Sequence, residues 1–246
     1  VADHSEGKYR GRVYVYAQTP GHLLEEGGYM GSAIALWRSV DGGRTFERPV
    51  MRFPSPEDRA AGHRPFLVVG SAGTTNTGAV DPLVEVADIA AAEGLWFHVD
   101  AAYGGAARLS PAHAHRVPGL ELADSVTIDP HKWFFQAYDV GALVVRRRED
   151  LLTTFHRAPE YYRHPSPEEE PLHWYQYALG GTRRFRALKL WATLRCYGRE
   201  GLEERIRRIV ALAELFEGWV RDESGWEICA PRSMSLVCFR REGPDE

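Results

Sequence analysis

The 246-residue sequence predicts an α/β protein: a mainly parallel, mixed sheet with helices on its faces, followed by a small α+β part. Three observations predict this. Short apolar runs at 65–70, 96–100 and 125–129 have the composition of strands covered on both faces. A stretch of helical period lies between the first two, which is the strand, helix, strand order of a parallel unit. Two long helical stretches and two strand-like runs then close the chain.

Taken in order, Val13-Tyr14-Val15-Tyr16-Ala17 is a β-branched and aromatic strand, and the turn residues Thr19, Pro20 and Gly21 place His22 at its exit. From 27 to 62 the pattern is poor; Asp41-Gly42-Gly43 marks a turn and prolines break 49–56. The strand at 65–70 leads into a loop of small residues at 71–78. Asp81-Pro82 opens a helix whose apolar positions are Leu83, Val84, Val86, Ala87, Ile89 and Ala90, and Gly94 ends it. Strands follow at 96–100 and 125–129, and a further one at 141–145 is close enough to return as a hairpin. The run Arg146-Arg147-Arg148 reads as a polar strand exit. Prolines and Glu168-Glu169-Glu170 make 159–171 a solvated, mobile loop. Helices are expected at 184–197 and 200–221, the second with Leu202, Ile206, Ile209, Val210, Ala213, Leu215 and Phe216 as its apolar stripe. Strands are expected at 226–229 and 234–239. The division that results is a large domain over 1–184 and a small C-terminal α+β domain over 185–246.

Bulk properties exclude several classes. With 44% hydrophobic and 26% charged residues the chain has material for a sizeable core. A net charge of −4, without a basic stripe, gives nucleic acid no purchase. Cys196, Cys229 and Cys238 are odd in number and separated in sequence, which argues against a disulfide framework and against zinc. No window is apolar for the length of a membrane span, and the first residues lack the order of a signal peptide. The expectation is a cytoplasmic protein without a metal. The chain starts without methionine and stops just after a strand-like run, so a segment of something longer is expected.

The chemistry is concentrated at two strand ends. Asp100 closes His98-Val99-Asp100-Ala101-Ala102-Tyr103, and Lys132 lies in Asp129-Pro130-His131-Lys132-Trp133. In open α/β sheets, ligands bind outside the carboxyl ends of the strands, where Thr74, Thr75, Asp100 and Lys132 all fall. An amine and a buried-looking acid so placed are the pair that pyridoxal phosphate chemistry requires: Lys132 to form a Schiff base with the cofactor aldehyde, and Asp100 to keep the ring nitrogen protonated. Taken singly, a lysine after a strand is usually a solvated loop residue and an aspartate there a cap. The glycines between 70 and 78 have neither the Walker lysine nor the dinucleotide spacing.

These segments, with Gly73-Thr74-Thr75 and Arg183-Arg184-Phe185-Arg186-Ala187-Leu188-Lys189-Leu190-Trp191, resemble the group II pyridoxal-phosphate-dependent decarboxylases, which include the aromatic-L-amino-acid decarboxylases. The resemblance runs from about Val13 to the C-terminus with a weak interval at 30–57. It implies the large domain of the aspartate-aminotransferase fold (fold type I), usually a mixed seven-stranded sheet, in a homodimer. It further implies that His22 stacks on the cofactor ring, that Thr75 lies near the ring and its aspartate, that Ala102 packs on the other face, and that His131 contacts phosphate or substrate.

Two departures accompany the matches. The family's phosphate-binding serine loop and its N-terminal substrate-lining helices lie upstream of anything present. In the loop that should carry a proton-donating tyrosine, the position anchored on Leu179-Gly180 falls at Leu172; Tyr175, Tyr177 and His173 are nearby donors. Three functions follow: decarboxylation of an L-amino acid, with an aromatic one expected; an aldehyde synthase in which oxygen intercepts the carbanion; and a truncated, silent dimerisation module.

Overall fold

The computed structural model describes strands 13–16, 34–39 and 50–52, and residues 66–155, 173–178, 180–241 and 243. Three antiparallel strands come first: β1 (Val13–Tyr16), β2 (Ile34–Ser39) and β3 (Val50–Arg52), in that order across their sheet. The first was expected. The other two lie in the stretch whose pattern is poor; for β3, a three-residue strand among prolines has too few alternations to register.

The central sheet has the strands β4 (Leu67–Ser71), β5 (Trp96–Asp100), β6 (Ser125–Ile128) and β7 (Ala142–Val145) in the order β4-β5-β6-β7. β4, β5 and β6 are mutually parallel, and β7 returns antiparallel to β6 with Ile128 opposite Ala142, so the expected mixed sheet is present. Helix α1 (Leu83–Glu93) crosses from β4 to β5 and ends at Gly94, whose φ is 66°. Its buried Leu83, Val86 and Ala90 share one core with Val68, Phe97 and Val99. Burying a side chain of this size stabilises by about 1.5–3 kcal/mol.

Alternation along β5 decides which residues reach the core and which are left for chemistry. Phe97 and Val99 point into that core, whereas Trp96, His98 and Asp100 take the opposite face. There His98 and Asp100 pair across the ladder with Ser125 and Thr127.

After β7, helix α2 covers Arg148–Phe155. The arginine run is therefore not only a strand exit: Arg148 opens this helix, and the Arg146 guanidinium donates to the carbonyls of Glu121 and Ala123. Helix α3 (Arg186–Asp222) spans both expected C-terminal helices and is interrupted where they were separated, at Gly198, with φ 63° and ψ −176°. Its Leu202, Ile206, Val210 and Ala213 are buried, and Ile206 and Val210 join the core of the central sheet. The closing hairpin pairs β8 (Trp226–Ser233) with β9 (Leu236–Arg241). β8 runs four residues beyond the expected 226–229 across a bulged register, because its partner strand supplies pairing that local pattern does not reveal. Cys196, Cys229 and Cys238 are free thiols. Among the described residues no helix is long and apolar enough to cross a membrane.

Candidate active site

The site forms where β4, β5 and β6 end side by side. Ser71 and Asp100 are ladder partners at the last positions of β4 and β5. The Ala72 N–H donates to the Asp100 carbonyl at 2.8 Å, and the Ala101 N–H to the Thr127 carbonyl at 3.0 Å. Beyond β6 the chain makes a tight turn in which the Lys132 N–H donates to the Asp129 carbonyl at 2.9 Å. A cavity of about 360 Å³ results, lined by Ser71, Gly73, Thr74, Thr75, Asp100, Ala102, Tyr103, Lys132 and Leu236. Four of the expected site residues, Thr75, Asp100, Ala102 and Lys132, are thus brought to one place.

Asp100 is exposed, not buried as its apolar strand suggested, because its side chain leaves the last position of β5 on the face away from α1. Its Oδ1 accepts the Ala102 N–H at 3.1 Å, which ties the carboxylate to the residue expected beneath the ring and leaves Oδ2 for a further partner. Behind it, His98 contacts the Ser125 hydroxyl through Nδ1 at 2.8 Å and the Thr127 hydroxyl through Nε2 at 3.2 Å. Burial lowers the His98 pKa below its usual value, against the opposing pull of Asp100, so a neutral ring bridges the two hydroxyls. The Trp96 indole N–H donates to the same Ser125 oxygen at 2.8 Å. A neutral imidazole donates from one nitrogen and accepts at the other, so the ring is a donor to one of these hydroxyls and an acceptor from the other.

Lys132 places Nζ 3.1 Å from Asp129 Oδ2, with 39% of its side chain exposed. So exposed a pair holds the amine loosely and leaves it accessible. His131 does not line the cavity. Its Nδ1 lies 2.6 Å from the Val140 carbonyl and 3.2 Å from the Val140 N–H. One nitrogen cannot donate to the first and accept from the second; the shorter contact makes Nδ1 the donor. Nε2 lies 3.6 Å from Asp129, and the ring meets Tyr138 edge-on at 4.8 Å.

The loop from β4 to α1 is tightly bonded. The Gly73 and Thr74 N–H groups both donate to the Ala79 carbonyl at 3.0 Å, and the Ala79 N–H donates to the Thr74 hydroxyl at 3.0 Å. Gly73 has φ +105°, and a Cβ there would lie 2.7 Å from the Tyr103 ring, so only glycine lets Tyr103 close over the loop. Asp81 anchors the loop's far end, accepting the Ser71 N–H at 2.7 Å on Oδ2 while its own N–H donates to the Ser71 carbonyl at 2.8 Å. Burial raises the Asp81 pKa to about 6 against that hydrogen bond.

Tyr175 and Tyr177 lie on a 3₁₀ turn, Trp174–Tyr177, away from the cavity lining. His173 stacks on Tyr175 at 5.3 Å, and the Arg148 guanidinium lies 5.9 Å from the Tyr177 ring. His22, Leu172 and the loop expected at 159–171 fall outside the described residues. Sequence reasoning missed Ser71, Tyr103 and Leu236 as cavity residues. The first two adjoin recognised segments, but nothing local marks Leu236, which arrives from β9. Among the described residues no cluster of His, Cys, Asp or Glu could hold a metal ion.

The pattern of the pyridoxal-dependent decarboxylase conserved domain matches residues 54–242. The chain belongs to that family. Within the pyridoxal-dependent decarboxylases it is 39% identical over 240 residues to the aromatic-L-amino-acid decarboxylase of Bos taurus, covering 96% of this chain and 49% of that protein. The crystal structure of Oryza sativa TDC with PLP and tryptamine superposes with a TM-score of 0.70 at 42% identity, over 76% of this chain and 38% of the other. Rhodiola rosea 4-hydroxyphenylacetaldehyde synthase does so with a TM-score of 0.65 at 35% identity, over 76% and 37%. This decarboxylase-family chain thus spans about half the length of the curated relatives it matches.

Proposed function

We propose that this chain is the lysine-bearing part of a pyridoxal-phosphate enzyme that removes carbon dioxide from an L-amino acid with an aromatic side chain. The observation that carries the proposal is the convergence of Lys132, Asp100, Thr75 and Ala102 on one cavity at the carboxyl ends of parallel strands. The donor set fits the cofactor's ring end: an accessible amine, a carboxylate with an oxygen left over, and a small side chain, all lining one cavity. The substrate class is supported by the aromatic-L-amino-acid decarboxylase and the tryptamine-bound TDC it resembles.

Pyridoxal phosphate, when bound, supplies a conjugated ring that accepts the electrons released at Cα. The protein's part is to align and to hold charge. Lys132 would hold the cofactor through its accessible amine. The Asp100 carboxylate keeps a proton on the ring nitrogen, and the Ala102 N–H holds that carboxylate in place. Ala102 and Thr75, which line the cavity, would hold the ring together with His22, and His131 would support the turn that carries Lys132. The proton that Cα would need after loss of the carboxylate would come from a phenol or imidazole, with Tyr175, Tyr177 and His173 as candidates. We further propose a cytoplasmic homodimer, with 1–184 as the cofactor-binding part and 185–246 as a smaller C-terminal part.

The test is the visible absorption of the purified chain with pyridoxal phosphate added, followed by borohydride reduction and peptide mapping. A visible band and a pyridoxyl group on Lys132 are expected, and Lys132→Ala abolishes both. A label on Lys189 instead overturns the assignment.

A further inference from the structure

The tip of the β8–β9 hairpin, 133 residues beyond Ala102 in sequence at Ser235, is built into the cofactor end of the sheet. Met234 is fully buried, and its Cε lies where a Cβ on Gly73 or Gly104 would approach to 3.2 Å or 2.8 Å. The Ser233 hydroxyl donates to the Gly78 carbonyl in the loop between β4 and α1. Leu236, the first residue of β9, lines the cavity itself.

Between these contacts stands Tyr103. Its ring packs on Gly73 on one side and meets the Trp133 ring edge-on at 4.9 Å on the other, and Trp133 is buried next to Lys132. The phenol closes the arrangement: the Ser235 N–H donates to it at 3.2 Å, and it lies 2.7 Å from the Ser235 hydroxyl. Burial raises the Tyr103 pKa, with the Ser235 contacts opposing, so the phenol stays neutral. A tyrosine has two rotatable side-chain angles, and pinning its far end removes both.

We propose that Tyr103 and Ser235 form a positioning clamp through which the C-terminal hairpin holds the Gly73-Thr74-Thr75 loop and the Lys132 turn at the separation that the cofactor ring requires. Tyr103 is a positioning residue and not a reacting one. The proposal rests on the pyridoxal-phosphate reading of the cavity and adds the C-terminal hairpin to that site.

Pyridoxal phosphate is titrated into the full chain and into Tyr103→Phe, Ser235→Ala, Ser235→Thr and the Tyr103→Phe/Ser235→Ala double variant, with the visible band as readout. Unfolding of each is measured without the cofactor. Ser235→Ala should weaken cofactor binding about tenfold, the size expected for losing one hydrogen bond, and Tyr103→Phe at least as much, since the phenol also takes the Ser235 N–H. The double variant should be no worse than Tyr103→Phe alone, since that substitution already removes the hydroxyl contact that Ser235→Ala removes. Ser235→Thr, which keeps the hydroxyl, should bind as the parent does. Borohydride should still label Lys132 in every variant that binds. Unchanged affinity in both single variants, or losses that simply add, overturns the clamp. So does weakened binding that merely follows a loss of stability in the cofactor-free protein. Should Tyr103→Phe fail to fold, Ser235→Ala against Ser235→Thr decides alone. A parent chain that gives no visible band fails the cofactor reading itself, an outcome distinct from failure of the clamp.

Discussion

Replacing Asp81 with asparagine should make the protein more stable above pH 6 and leave it nearly unchanged near pH 4. Asp81 is 6% exposed, and desolvation raises its pKa from 3.8 to about 6 although its carboxylate accepts the Ser71 N–H. A rise of about 2 pH units, at about 1.4 kcal/mol each, makes the ionised side chain about 3 kcal/mol less favourable in the folded protein than in the unfolded chain. The sign follows from proton counting. Between pH about 4 and 6 the unfolded chain has released this proton and the folded one retains it, so stability falls as pH rises through that window and levels off above it. Asparagine does not titrate and keeps an oxygen for the Ser71 N–H. It forfeits about 0.3–1 kcal/mol of attraction between a negative charge and the start of α1, and its amide protons need new partners. The expected net gain is about 1–2 kcal/mol at pH 7.5. Urea unfolding followed by circular dichroism at pH 4.5 and 7.5 measures it through the midpoint shift. An Asp81→Asn protein less stable than the parent at pH 7.5, or an equal difference at both pH values, would refute the desolvation reasoning.

Asp100→Asn should still take up pyridoxal phosphate on Lys132 but lose turnover by several orders of magnitude in an active parent, because an amide cannot hold a proton on the ring nitrogen; near-normal turnover would remove the electronic role assigned to Asp100. If no donor reaches Cα, products should shift from amine toward aldehyde, ammonia and peroxide in air but not under nitrogen. Amine alone in both atmospheres excludes the aldehyde-synthase chemistry. Phe substitutions at Tyr175 and Tyr177 then identify the donor by the one that raises the aldehyde fraction.

Local patterning carried the reading of the central sheet. Strands β4, β5 and β6, helix α1 and its end at Gly94, and the break at Gly198 all express a preference that acts over a few residues: apolar continuity, helical period, a glycine that stops a helix. The strand ends of a parallel sheet must lie together, so the sequence alone groups Asp100, Thr75 and Lys132, and all three line one cavity. The exposure of Asp100 was misjudged for the same local reason, since an apolar strand does not say on which face its last residue emerges. β3 is too short and α2 too polar to build a period, whereas β2, Ile34–Ser39, has an unbroken apolar start in place of an alternation.

Residues that meet across long separations had no sequence signal at all. Tyr103 and Ser235 are 132 positions apart, and each is an ordinary polar residue beside a strand until β8 and β9 pair and bury Met234 beneath the loop at Gly73. Asp81 looked like the opening of a helix; only folding turned it toward Ser71 and away from water, and that desolvation raised its pKa. The turn of His131 toward Val140 and the arrival of Leu236 at the cavity belong to the same class. Periodicity encodes which face of an element is apolar and where the element stops, whereas packing between distant elements sets distance, burial and hydrogen-bond partners, and those three quantities fix what a polar side chain can do.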